Sequence, residues 1–221
     1  MTYNKETVSQ YIDSHYSAYQ TSKLNRQFAE DEATKSFPEL NISLLGTTTL
    51  EFLKDAITLE GYINSINLKP HILPAEQIMQ LTLNPGSDLY TANPKIIIIL
   101  ARIEDLYPAI KDASIIKDNF IITKAKNEIL NQIESWVHAI QTHSSASIIL
   151  HTFKTPDWSI DATNEIITGN SLWRLVQQIN LSFYDLSIKF SGIHVVNIER
   201  AINLTPLGQW HDPKLWYFGR I

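Results

Sequence analysis

Lys95-Ile96-Ile97-Ile98-Ile99-Leu100 is the stretch on which the fold turns. Four consecutive β-branched residues resist a helix and suit a pleated strand. They also leave no polar face, so both sides of the strand must be covered. That is the signature of a parallel sheet with helices on each side.

The same grammar extends outward in both directions. Upstream, Ile42-Ser43-Leu44-Leu45 is a short apolar strand closed by Gly46, and Leu50, Leu53, Ile57 and Leu59 recur at helical spacing up to Gly61. Lys69 to Leu73 predicts a strand, Ala75 to Leu83 a short helix, and Asn84-Pro85-Gly86-Ser87 a turn. Downstream, Ile122, Ala125, Ile129, Ile133, Trp136, Val137 and Ile140 mark a long amphipathic helix. Ser147 to His151 is the next apolar strand, Leu172 to Leu186 a further helix, and Ile193 to Ile198 a final strand. Strands alternating with helices of this length imply right-handed crossovers and an α/β three-layer sandwich with a mainly parallel sheet. Residues 1–40 stand apart, with Val8, Tyr11, Ile12, Tyr16, Tyr19 and Leu24 at helix-like spacing. They are expected to form one or two N-terminal helices packed outside the domain or on a partner, with 41–221 forming the α/β domain.

The chain has 221 residues, a net charge of −5 and no cysteine. The acidic balance predicts no attraction to nucleic acid or anionic lipid. No apolar run is long enough to span a bilayer. Disulfides, thiolate metal sites and a cysteine nucleophile are excluded, and a reducing, cytoplasmic setting is expected. Phosphate-binding glycine loops, H-E-x-x-H and G-x-S-x-G are missing, and the histidines lack metal-ligand spacing, so neither a cofactor nor a metal site is indicated.

Ligands of an open parallel sheet bind at the carboxyl ends of its strands. Three segments qualify, and the C-terminal run Trp210 to Arg220 stands out by its composition. Gly46-Thr47-Thr48-Thr49 follows the first strand and opens a helix. Its glycine would let the backbone approach a ligand and its N–H groups would suit an oxyanion, or its threonines simply cap the helix. Arg102, with Glu104 and Asp105, follows the four-isoleucine strand. Arg102 could bind an anion while Asp105 orients a hydroxyl, or the three form a salt-bridged rim. His151 ends another strand as an acid–base candidate or a structural histidine. Trp210 to Arg220 sets His211, Asp212, Lys214 and Arg220 among four aromatics, as a cleft-lining loop, a docking surface or edge packing.

Taken in order, Leu45-Gly46-Thr47-Thr48-Thr49-Leu50, Leu83 to Tyr90 with Asn93-Pro94, Leu100 to Leu106, His151-Thr152-Phe153, Gln178-Ile179-Asn180 and Trp210 to Arg220 resemble the N-terminal domain of FkbH-like proteins, the HAD-superfamily subfamily IIIC group. The resemblance covers about residues 40 to 221. It implies an SGNH-hydrolase-like, flavodoxin-like α/β/α fold, followed in complete members by a HAD phosphatase-type domain. It also implies a place in polyketide biosynthesis: moving a glyceryl-type unit from a small phosphorylated three-carbon donor to an acyl carrier protein. Thr49, Asp105, His151 and Asp212 would be the catalytic set. Gly46, Thr47, Thr48, Arg102 and Arg220 would bind substrate. Four departures bear on activity. The G-x-N-D block appears only as Ala101-Arg102-Ile103-Glu104, and Asn197 stands where the family has an aspartate in the last strand. Thr48 stands where an SGNH hydrolase has its serine, and no D-x-x-H closes the chain, since Leu215 lies three residues past Asp212. A transferase module, a non-catalytic docking domain and a stand-alone esterase with a degenerate triad are the competing expectations, the esterase the weakest.

Overall fold

In the computed structural model, residues 18–111, 119–155 and 171–204 are described. Five strands form one sheet: β1 (Glu39–Gly46), β2 (Asn67–Ile72), β3 (Ile96–Leu100), β4 (Ser147–His151) and β5 (Ile193–Val196). Their order is β2-β1-β3-β4-β5 and every pairing is parallel. This is the flavodoxin-type order, whose direction of winding reverses between β1 and β3. The three-layer α/β expectation holds.

The isoleucine run divides its side chains between the two faces. Ile97 and Ile99 join the larger core with Leu45, Ile148 and Leu150, under α7 (Asn119–His143) and α8 (Leu172–Lys189). Ile96, Ile98 and Leu100 face the opposite way, against Ile42, Leu44, Leu50 and Ile57 of β1 and α3 (Glu51–Ile63). Both faces are therefore covered at β3, the Ile97 and Ile99 face fully and the Ile96, Ile98 and Leu100 face in part.

The N-terminal segment packs on this frame through α1 (Ala18–Ala29), followed by the single turn α2 (Glu32–Lys35). Leu24 and Phe28 of α1 meet Leu59 and Tyr62 of α3, and Asn25 Nδ2 donates to the Asp55 carbonyl at 2.7 Å. Short helices fill the remaining connections: α4 (Ile78–Leu83), α5 (Asp88–Thr91), α6 (Ile103–Leu106), a 3₁₀ turn at Pro108–Lys111, and α9 (Ile198–Asn203).

Three local expectations are corrected. Gly61 does not end α3, which runs to Ile63; the stop comes at Ser65, whose φ of 59° is left-handed. Glu76, at φ 63°, keeps Ala75 to Gln77 out of α4 and donates its N–H to the Gly46 carbonyl instead. The last strand stops at Val196 rather than Ile198, because the Asn197 side chain accepts from Arg200 N–H and starts α9. An asparagine that can cap a helix competes successfully with strand extension.

Candidate functional site

The register brings the carboxyl ends of the strands into one row. Gly46 pairs with Leu100, and His151 pairs with Val196. Since Ile98 pairs with Ile149, Leu100 lies opposite His151 two places on. Gly46 and His151 are thus two strands apart, about 10 Å at ordinary strand spacing. This end of the sheet contains the β1/β3 reversal, where a parallel sheet opens its crevice.

At that reversal the segments that follow β1 and β3 are laced together. Thr47 N–H donates to the Leu100 carbonyl at 3.2 Å, and Arg102 N–H donates to Thr47 Oγ1 at 3.1 Å. Thr48 is half-buried and Thr49 exposed. None of the three caps the following helix: Leu50 occupies its N-cap position without a side-chain bond. The glycine also has a different reason from the one expected. A Cβ at Gly46 would sit 2.7 Å from Leu50 Cδ1 and 3.2 Å from the Leu100 carbonyl. The close approach is made by this chain's own Leu50, so Gly46 allows α3 to start tight against the sheet.

Arg102 is mostly buried, its side chain 19% exposed, and it faces two carboxylates. Its Nη2 lies 3.4 Å from Asp105 Oδ1 and its Nε 3.8 Å from Glu104 Oε2. One cation and two anions leave this cluster acidic. An incoming anion would compete with these two carboxylates for Arg102.

His151 is largely enclosed. Its Nδ1 lies 2.9 Å from the Thr152 carbonyl, and its ring stands edge-on to Phe153 with centroids 5.9 Å apart. A carbonyl only accepts, so Nδ1 carries the hydrogen and Nε2 the lone pair. Burial holds the imidazole below its usual pKa, against the opposing pull of the Thr152 hydrogen bond. A cavity of ≈ 10 Å³, room for about one water, lies beside it among Ile99, Ala101, Trp136, Leu150 and Phe183. The indole Nε1–H of Trp136, a residue 2% exposed, has no acceptor among the described residues.

Gly46 to Thr49, Arg102, Asp105 and His151 therefore share one end of the sheet. Neither Thr48 nor Thr49 makes a hydrogen bond to His151 among the described residues. Asp212 and Arg220, with the rest of Trp210 to Arg220, lie outside the described residues. Among the described residues no three His, Cys, Asp or Glu side chains cluster as a metal site. Sequence reasoning gave no role to Trp136, Thr152 or Asn180. Asn180 did carry a signal, as an amide set among Val176, Ile179 and Phe183 on the apolar face of a helix.

The chain matches no protein-family model and no curated protein. Among solved structures it is similar to the N-terminal part of the protein BF1531 from Bacteroides fragilis, which contains a phosphatase domain and was crystallised with Mg. The TM-score is 0.76 at 18% identity, covering 94% of this chain and 52% of that one. The chain thus spans about half the length of that structure and shares its fold. A chain from Streptococcus pneumonia assigned as a platelet activating factor matches at a TM-score of 0.45 and 15% identity, covering 93% of this chain and 85% of that one. That likeness is too distant to inform the fold. No helix among the described residues is long and apolar enough to cross a membrane.

Proposed function

We propose that this chain is the SGNH-like module of an FkbH-type system, which delivers a three-carbon, glyceryl-type unit to an acyl carrier protein together with a HAD phosphatase-like domain. The observation that carries the reading is the match of almost the whole chain to about half of a chain containing a phosphatase domain. The phosphatase-type partner would handle the phosphorylated donor, and the cleft at the β1/β3 reversal would handle the acyl group. Because Thr47 N–H is committed to Leu100, the N–H groups of Thr48 and Thr49 and the Thr49 hydroxyl are left to hold an acyl oxygen. Arg102 would meet an anionic group of the substrate or of the phosphopantetheine arm, in competition with its two carboxylates. His151 would manage the proton, with Asp105 or Asp212 assisting and Arg220 binding the arm. A cytoplasmic setting fits a cysteine-free chain that works on a carrier protein.

A second reading, docking without catalysis, is favoured by one feature: no nucleophile is hydrogen-bonded to His151 among the described residues, whereas an activated hydroxyl needs a base within reach. A stand-alone esterase using Thr48 and His211 is the weakest reading, because Thr48 stands where an SGNH hydrolase has its serine.

Two measurements test these readings. Titration with the loaded carrier protein and with a separate HAD phosphatase domain, at two ionic strengths, should show micromolar binding to at least one. Binding to neither at high micromolar concentration removes both leading readings. His151→Gln should then abolish transfer while preserving binding. Transfer that survives the substitution would favour docking alone.

A further inference from the structure

A buried side-chain amide is costly unless both of its ends are satisfied. Asn180, on the apolar face of α8 and 5% exposed, satisfies both ends on a single residue. Phe153 N–H donates to Asn180 Oδ1 at 2.7 Å, and Asn180 Nδ2 donates to the Phe153 carbonyl at 2.9 Å. The side chain does for Phe153 what a neighbouring strand would do, two residues past the end of β4.

Thr152 is gripped from the other side. Its N–H donates to the Val196 carbonyl at 2.9 Å and its Oγ1 accepts from Ile198 N–H at 3.0 Å. With both of its neighbours in the chain anchored, the Thr152–Phe153 peptide cannot turn. Its carbonyl therefore stays where His151 Nδ1 meets it at 2.9 Å.

We infer that Asn180 is a positioning residue for His151: through Phe153 it aims the Thr152 carbonyl at Nδ1 and so fixes the imidazole as a proton acceptor at Nε2. In a serine-hydrolase triad a carboxylate does this work; here a clamped backbone carbonyl does it. The purpose of this role rests on the reading of His151 as the proton-handling group. A hydroxyl or thiol of an acceptor that reaches Nε2 would give up its proton there, leaving the bonding electron pair on its oxygen or sulfur. The imidazolium so formed keeps its Nδ1–H bond to Thr152. The lowered pKa of the buried ring keeps Nε2 unprotonated and ready near neutral pH.

The test does not depend on finding the substrate. Imidazole ¹⁵N NMR of the whole chain should show His151 as the neutral Nδ1–H tautomer. In Asn180→Leu the ratio of Nδ1–H to Nε2–H tautomers should fall about fivefold, as the loss of one hydrogen-bonded constraint implies. Asn180→Asp, which keeps the acceptor for Phe153 N–H, should recover part of it and carries the test if the leucine variant does not fold. A wild-type Nε2–H tautomer overturns the inference, as does an unchanged tautomer ratio in a folded Asn180 variant. If the tautomer results hold while no carrier protein or phosphatase domain binds, the positioning role stands and the acyl-transfer reading falls.

Discussion

His151 shows how much a single side chain can hold. Enclosure lowers its pKa below the ordinary 6.5, with the Thr152 hydrogen bond opposing. The folded state is therefore harder to protonate than the unfolded chain. Between the folded pKa and 6.5 the unfolded state binds more protons, so stability falls as pH drops through that window and is level above it. Equilibrium urea unfolding from about pH 5 to pH 7 should show this directly. The advantage of wild type over His151→Gln is expected to shrink as the pH falls. A constant difference would mean that the ring titrates alike in both states. Tyr90 is a second such residue. Its hydroxyl donates to the Thr82 carbonyl at 2.6 Å, and burial pushes its pKa up to about 12. Tyr90→Phe should cost about 1 kcal/mol, the usual worth of a neutral hydrogen bond.

Among the elements, α3 and β2 show why a good helix residue can be wrong for its place. An alanine is ordinarily preferred to glycine in a helix by about 1 kcal/mol. At Gly61, however, a Cβ would lie 2.8 Å from the Ile66 carbonyl and 2.6 Å from Leu68 Cγ. One of these atoms is backbone in the tight return from α3 to β2, so it cannot simply rotate away. Gly61→Ala should destabilise the chain by about 1–3 kcal/mol, the usual cost of overpacking. Thermal or urea unfolding gives the sign, and a stabilised variant would show that the α3–β2 return has slack. The strand that follows is an edge, pairing only with β1, and it carries Pro70 opposite Ile42. A proline on an edge strand removes one N–H that another chain could pair with.

At the scale of the whole molecule, the strand order sets a gradient of stability. β1, β3 and β4 each have a neighbour on both sides, whereas β2 and β5 have one. Ile97, Ile99 and Ile148 are essentially sealed, while Val196 on β5 is 48% exposed. Native-state hydrogen exchange should find the slowest amides in β1, β3 and β4, with β2 and β5 opening at lower free energy. Faster exchange in β3 than in β5 would contradict the order. The site lies where the rigid centre meets the edge: Gly46 ends the stable β1 and Arg102 follows the stable β3, and His151 depends on β5 and α9 through Thr152.

The sequence by itself determined the class of fold. Four isoleucines in a row cannot present a polar face in any regular conformation, and alternating apolar strands and amphipathic helices have few ways to bury what they carry. It also placed Gly46, Arg102 and His151 at strand ends, since each directly follows an apolar run. What those residues do there was decided by tertiary contacts between segments distant in the chain. Gly46 is a glycine because of the distant Leu100 as well as the nearby Leu50, whereas Arg102 pairs with Glu104 and Asp105 beside it in the chain, a rim already legible in the sequence. The tautomer of His151 is set by Thr152, whose carbonyl is aimed by an asparagine 27 residues from Phe153. Local patterns report periodicity and propensity, which act over a turn or a strand. A hydrogen bond between Phe153, just past β4, and Asn180 of α8 exists only after the sheet has closed over its helices.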